Sequence, residues 1–268
     1  MEIQLNGRLH HTTASNYDTL RNELALDANA LIVNGHSKPW TTPIVEADHV
    51  IMLNREISPT LEVWRAIYDA RYGKEIMDKL QQGKVAICGL GGLGSLIAIE
   101  LGRLGVGTLL LIDDDIVDAT NLARQQYTMR HIGMNKTDAL TEELTHMAPL
   151  TTVTTNNIHL TRDNIADALE GYTIICEAVD RPETKAALTE AVLSDLPHAT
   201  LVGASGMAGY GSGNAITAKK VFPRLFMVGD GESEGEEGIG LLAPRVGLCA
   251  SAQATLIMRL LLGEANPL

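Results

Sequence analysis

Apolar positions come first in short alternating bursts and later in longer unbroken runs, and the change falls near residue 84. Glu2-Ile3-Gln4-Leu5 alternates polar and apolar, the period of a half-buried strand. Asn6-Gly7 then supplies a pair that tolerates the positive φ of a tight hairpin, and Arg8 to Thr13 is a second strand. Leu20 and Leu24, at helical spacing within Asp18 to Leu26, predict a short amphipathic helix. Ala30 to Val33 is a β-rich run closed by Asn34-Gly35, and His49 to Leu53 is the last strand of this stretch.

Two strands, a helix and two strands within residues 1–57 is the order of a small β-grasp unit. The alternative is an N-terminal decoration without a fold of its own. Residues 58–83 read as a helical linker, starting at Ser58-Pro59 and weakened at Gly73. Residues 84–268 form the larger domain. Val85 to Cys88, Thr108 to Ile112, Thr173 to Cys176 and Thr200 to Val202 are buried strands, and Thr151 to Ile158 is a more polar one. Helical patterns at 93–104, 137–147, 163–169 and 182–193 separate them, which predicts an α/β fold with a mostly parallel, Rossmann-like sheet. Asn214 to Thr217 and Leu225 to Val228 read as antiparallel strands. Gly229 to Gly240, with Glu232, Glu234, Glu236 and Glu237, reads as a mobile acidic loop. An apolar helix from Val246 to Leu262 stops at Gly263.

Composition narrows the function classes. A formal net charge of -12 argues against a nucleic-acid surface, which needs clustered Lys and Arg. Cys88, Cys176 and Cys249 are widely spaced inside apolar runs, as expected of buried thiols in a reducing compartment and not of a disulfide framework. With neither a basic-then-apolar leader nor a bilayer-length apolar run, the expectation is a cytoplasmic protein that does not engage membranes.

The candidate chemistry starts at Gly89-Leu90-Gly91-Gly92-Leu93-Gly94, between a strand and a helix. That geometry turns backbone N–H groups and a helix N-terminus toward a phosphate, and Gly89, Gly91, Gly92 and Gly94 permit the tight turn and close approach. Asp113, ending the next strand, stands where an acid hydrogen-bonds a ribose hydroxyl. A dinucleotide dehydrogenase shares both features. Asn121, Arg124 and Lys136 follow, and a triphosphate attacked at its α-phosphorus needs such cations because charge grows on its oxygens. Asp180, just past the strand ending near Ala178, is either a carboxylate for Mg²⁺ or the N-cap of the helix begun at Pro182.

The ordered set GLGGLGS, Asp-x-Asp, NLxRQ, Gly-x-x-Lys and a strand-end Asp-Arg resembles the ubiquitin-activating-enzyme superfamily, in its ThiF and MoeB branch, from about Lys84 to Gly263. The N-terminal unit resembles ThiS, the ubiquitin-like sulfur carrier of thiamine biosynthesis. A ThiS-like unit ahead of a ThiF-like domain is similar to a second ThiF type. The resemblance implies ATP over the glycine loop, Asp113 on the ribose, and Asn121, Arg124, Gln125 and Lys136 at the nucleotide, with Mg²⁺ on Asp180. It implies adenylation of the Gly-Gly carboxylate of a separate ThiS-like carrier entering beneath a crossover loop between Tyr210 and Leu242. It also implies a homodimer in which an arginine, Arg71 or Arg65, reaches the partner's ATP.

Three departures matter. The paired C-x-x-C zinc ligands of the first ThiF type are missing, so no structural zinc is expected. No cysteine lies in the crossover region, which argues against a thioester or persulfide on this chain. The N-terminal unit ends Leu53-Asn54-Arg55-Glu56-Ile57 without Gly-Gly, so it is not itself the activated carrier. Other acceptors (molybdopterin- or cysteine-pathway carriers, a peptide, tRNA) and a non-catalytic ATP-binding interaction protein are the alternatives.

Overall fold

The computed structural model describes residues 1–235 and 240–268 and divides into two compact units, Met1–Lys79 and Leu80–Leu268. The first unit holds strands β1 (Glu2–Leu5) and β2 (Arg8–His11), helix α1 (Tyr17–Glu23), then β3 (Ala30–Val33), β4 (His36–Ser37) and β5 (His49–Leu53). The sheet order is β2-β1-β5-β3-β4, with β1 parallel to β5 and the other pairs antiparallel. Asn6 at φ 50 and Gly7 at φ 85 make the first hairpin turn. The Asn16 side chain caps α1 by accepting from the Thr19 N–H at 2.9 Å. Tyr17 and Leu20 of α1 pack with Ile3, Leu31, Val33, Val50 and Met52 into a core on one face of the sheet. Ile51, between Val50 and Met52, points to the opposite face and is buried as well.

The segment read as a linker contains α2 (Leu61–Tyr72) and α3 (Lys74–Gln82), separated at Gly73 with φ +92. Helix α2 begins at Thr60, whose Oγ1 accepts from the Val63 N–H, two residues later than the Ser58-Pro59 start expected. It packs against β5 within the first unit. Arg8 on β2 donates twice to the Glu62 carboxylate of α2, each bond 2.8 Å.

In the second unit, β6 (Lys84–Cys88), α4 (Gly92–Leu104), β7 (Thr108–Ile112), α5 (Lys136–Met147) and β8 (Thr152–Asn156) alternate. There follow α6 (Ile165–Ala168), β9 (Ile174–Glu177), α7 (Pro182–Asp195) and β10 (Thr200–Ala204). The chain continues through β11 (Thr217–Phe222), β12 (Leu225–Gly229) and α8 (Ala243–Leu261). The seven-stranded sheet has the order β11-β12-β10-β9-β6-β7-β8. Its apolar strands are buried on both faces, as the continuous runs at 85–88 and 109–112 predict. Only β11 runs against the rest: it pairs antiparallel with β12, in line with the expected antiparallel pair, although it spans Thr217–Phe222 and not 214–217, while β12 itself runs parallel to β10. The physical reason is the turn at Pro223-Arg224, which reverses β11 back into the direction of β10. Helix α8 starts at Ala243, earlier than Val246, because Pro244 is tolerated in a first turn.

The acidic-loop expectation falls in part on residues 236–239, outside the described residues, and so does part of the crossover region at 210–242. Among the described residues no helix is long and apolar enough to cross a membrane. Strand β6 has β7 on one side and β9 on the other, so successive connections leave it in opposite directions. Such a switch point opens a crevice beyond the carboxyl ends of the strands, and the candidate site lies there.

Candidate functional site

Beyond Cys88 the chain turns sharply through Gly89, at φ +90, before entering α4. A Cβ on Gly89 would stand 2.6 Å from the Ala178 carbonyl oxygen, and one on Gly94 would stand 1.9 Å from that of Gly89. These two glycines let the loop and helix pack on the sheet. Gly91 is different: within 4 Å its Cβ would meet only Gln125 Nε2, at 3.8 Å. Its missing side chain keeps open the space above the loop. Helix α4 has no side-chain cap at Gly91, so its first N–H groups are left for a ligand.

The crevice is a cleft of about 310 Å³, within the size range of small-molecule sites. One wall consists of Gly89, Gly91, Gly92, Asp113, Arg124, Gln125 and Lys136. Asp113 Oδ2 accepts from the Leu90 N–H at 2.6 Å, and its Oδ1 from the Asp115 N–H at 2.9 Å. Burial pushes the Asp113 carboxyl above the usual carboxylate range, against the opposing pull of the Leu90 N–H and the Lys136 ammonium. Lys136 Nζ lies 2.7 Å from Asp115 and 3.6 Å from Asp113, at the start of α5. The Tyr127 hydroxyl donates to the Leu90 carbonyl at 2.8 Å and holds the segment carrying Arg124 against the loop. Arg124 Nε and Gln125 Oε1 are buried without a hydrogen-bond partner. A buried donor and acceptor left unpaired are costly, and both residues line the cleft, so a ligand there would satisfy them.

The opposite wall comprises Ala178 to Arg181, Thr184 and Lys185, with Met207, Leu241 and Val246 above. Asp180 is exposed, and the N-cap of α7 is Arg181, without a side-chain cap bond. The helix-cap reading of Asp180 is therefore overturned, and its carboxylate is left to the cleft. Glu177 ends β9, is almost fully buried, and accepts from Lys185 Nζ at 2.7 Å and the Val179 N–H at 3.1 Å. Its burial raises the Glu177 carboxyl, with the Lys185 charge pulling the other way. Asp230, just after β12, pairs with Arg245 in the first turn of α8, and it also accepts from the N–H groups of Glu232 and Ser233. These bonds hold its carboxyl down at about 2.

The cleft thus gathers Gly89, Gly91, Gly92, Asp113, Arg124, Gln125, Lys136 and Asp180. Gly94 lies behind the loop, in the helix. Asn121 is not at the cleft: its Oδ1 accepts from the Asp118 N–H at 3.0 Å in a reciprocal cap of a short 3₁₀ turn, 119–123. Arg71 sits exposed in the last turn of α2, in the first unit, while Arg65 is held by Asp69 at 2.7 Å and also by Asp78. Sequence reasoning missed Glu177, Lys185 and the Asp230–Arg245 pair. The available signal was Lys185 itself, a cation three residues after the Pro182 that opens the helix next to Asp180.

The ThiF family profile matches residues 65–268. Over 139 residues the chain is 37% identical to the adenylyltransferase and sulfurtransferase uba4 of Emericella nidulans, covering 51% of this chain and 28% of that protein. Over 132 residues it is 32% identical to the tRNA threonylcarbamoyladenosine dehydratase of Escherichia coli, covering 47% of this chain and 49% of that protein. The match thus spans less than half the length of these curated relatives. Among solved structures, the E. coli dehydratase TcdA in complex with ATP superposes with a TM-score of 0.66 at 23% identity, over 74% of this chain and 93% of that one. E. coli MccB with ATP gives 0.57 at 21% identity, over 77% and 64%. At these identities the likeness is one of fold. The profile, covering far more than half of the sequence, gives the assignment: this chain belongs to the ThiF family.

Proposed function

We propose that the chain binds ATP in this cleft and adenylates a carboxylate, that of the C-terminal Gly-Gly of a separate ThiS-like sulfur carrier in thiazole synthesis. The observation that carries the reading is that Arg124 and Gln125 both line the cleft while Arg124 Nε and Gln125 Oε1 are buried without a partner. Asp113 is placed to hold the ribose, and Arg124 and Lys136 the phosphates. A carboxylate oxygen of the acceptor attacks the α-phosphorus, the bond to the bridging oxygen breaks, and pyrophosphate leaves with the electron pair. No proton is transferred, so the protein contributes positioning and charge stabilisation. Asp180, one exposed carboxylate with no other role, fits Mg²⁺, an ion that takes few protein oxygens and fills its shell with phosphates and water. The ion would neutralise charge on the phosphate oxygens there.

The N-terminal unit is read as a ThiS-like β-grasp, supported by its 2-1-5-3-4 strand order; lacking a Gly-Gly end it is not the carrier, which leaves a docking module, a dimerisation module or a relic. In a homodimer, exposed Arg71 is the candidate to reach the partner's nucleotide, since Arg65 is occupied by two carboxylates. A second reading, an acceptor on tRNA, is favoured by the 32% identity to a tRNA-acting dehydratase and opposed by the net charge of -12.

The test is ATP–pyrophosphate exchange with Gly-Gly-tailed carriers and, separately, with tRNA. Exchange is expected with a ThiS-like carrier, and Arg124→Ala or Asp180→Ala should slow it about 10²-fold or more. Failure to bind ATP in calorimetry, or no exchange with any acceptor, overturns adenylation. Exchange with tRNA alone transfers the activity to the second reading.

A further inference from the structure

We infer that Lys185 binds the carboxylate that is to be adenylated, and that Glu177 is its positioning residue; this rests on the adenylation reading and gives the acceptor its own cationic subsite. Lys185 lies on the wall opposite Arg124 and Lys136, in the first turn of α7. Its ammonium donates to Glu177 Oε1 at 2.7 Å and to the Ala204 carbonyl at 3.3 Å. An ammonium has three donors, and this side chain, 33% exposed, borders the cleft, so a donor remains for a ligand.

The location selects the ligand. Ala204 ends β10, and the chain passes from it directly to Met207, which covers the cleft together with Leu241. Lys185 therefore shares the cleft with Leu241, which belongs to the 210–242 region under which the acceptor enters in the proposed reading. A carboxylate approaching a triphosphate meets like charge, and a fixed cation on its own side removes part of that repulsion and aims an oxygen at phosphorus.

Glu177 explains how the cation is fixed. Its side chain is only 4% exposed, a costly place for a carboxylate unless it is well bonded. Room for it exists because residue 203 is glycine: a Cβ there would stand 3.0 Å from Glu177 Oε2. The competing explanation, that the pair merely ties α7 to the sheet, requires nothing of the cleft and is separated by ligand binding.

The experiment titrates the full chain with ATP, AMP and 5′-O-(N-glycylsulfamoyl)adenosine, an inert mimic of a glycyl adenylate. The parent chain should bind the mimic about tenfold or more tightly than AMP, the scale of one charge-assisted hydrogen bond. Lys185→Met should abolish that preference while ATP and AMP affinities stay within about twofold, and Lys185→Arg should recover most of it. If Met unfolds the chain, judged by thermal melting, Lys185→Gln supplies the same comparison. A mimic bound no better than AMP by a parent chain that binds ATP overturns the carboxylate subsite and leaves the nucleotide site standing. Equal weakening of ATP and mimic in Lys185→Met makes Lys185 a phosphate ligand or a structural tie, and also overturns it. A parent chain that does not bind ATP at all overturns the adenylation reading itself.

Discussion

The two walls of the cleft are held together in different ways. One comes from pieces of a single stretch of sequence, between Gly89 and Lys136, and its glycine loop rests on backbone contacts that only glycine permits. The other is assembled from the ends of β9, β10 and β12 and the starts of α7 and α8, joined by the ion pairs Glu177–Lys185 and Asp230–Arg245. Glycine packing shapes the loop of the first wall, with Lys136 paired to Asp115 and Asp113 beside it, whereas the separate elements of the second are tied by charge. The first should therefore be sensitive to volume, and the second to pH and to the loss of a partner.

The largest effect expected is at the first wall. Gly94→Ala places a carbon 1.9 Å from the Gly89 carbonyl oxygen, and neither the helix nor the loop can yield without unseating the other. It should destabilise the chain by about 4 kcal/mol or more, read as a lost or sharply lowered melting transition. Gly91→Ala, by contrast, meets nothing closer than 3.8 Å, so its melting temperature should stay near the parent value. Its ATP affinity should nonetheless drop about tenfold, because the added carbon occupies ligand space. If Gly91→Ala unfolds, or binds ATP normally, the distinction between a packing glycine and a cradle glycine is wrong.

That distinction also shows what a sequence exposes. The strands at 85–88, 108–112 and 174–176 are legible because burial on both faces leaves uninterrupted apolar runs. Asp113, Arg124, Gln125 and Lys136 are legible because they sit close together in one stretch behind the glycine loop. Asn121 belongs to the same stretch, yet its amide oxygen accepts the Asp118 N–H in a local cap, and the residue does not line the cleft. Local competition of this kind is invisible in a motif. Lys185 and Glu177 are eight residues apart, but their meaning depends on β10 lying beside β9 and on residue 203 being small. The Asp230–Arg245 pair needs β12 parallel to β10, a direction on which the strand pattern is silent.

A smaller, pH-dependent effect is expected at the second wall. The Asp230 carboxyl is held down at about 2, below its ordinary value of 3.8, so the stability it contributes is present above that ordinary value and is lost as pH falls toward about 2. Asp113 and Glu177 have the opposite sign: their raised carboxyls favour the protonated fold and lose nothing on acidification. Asp230→Asn leaves the buried Arg245 charge without its partner and should cost about 3 kcal/mol at neutral pH. The gap in melting temperature between parent and variant should narrow between about pH 4 and pH 2. A gap that stays constant across that range would show that packing, and not charge, secures this wall.

The smallest effect concerns what lies beneath both walls. Cys88 ends β6 under the glycine loop and Cys176 lies in β9 under the Lys185 wall, each with no exposed surface. Cys249, in α8, is equally buried, and burial pushes its thiol up to about 12, while the other two are also raised. A thiol needs its thiolate to attack, so none of the three should react with iodoacetamide in the native chain at pH 8, and all three should react after denaturation. Preincubation with ATP should change nothing. Rapid native labelling that ATP suppresses would place a nucleophile at the cleft and add a covalent acceptor to the second wall. Adenylation would then be the first of two steps on this chain, because an acyl adenylate beside a thiolate exchanges AMP for a thioester. With the thiols locked in the core, the chemistry proposed for this cleft ends at the acyl adenylate.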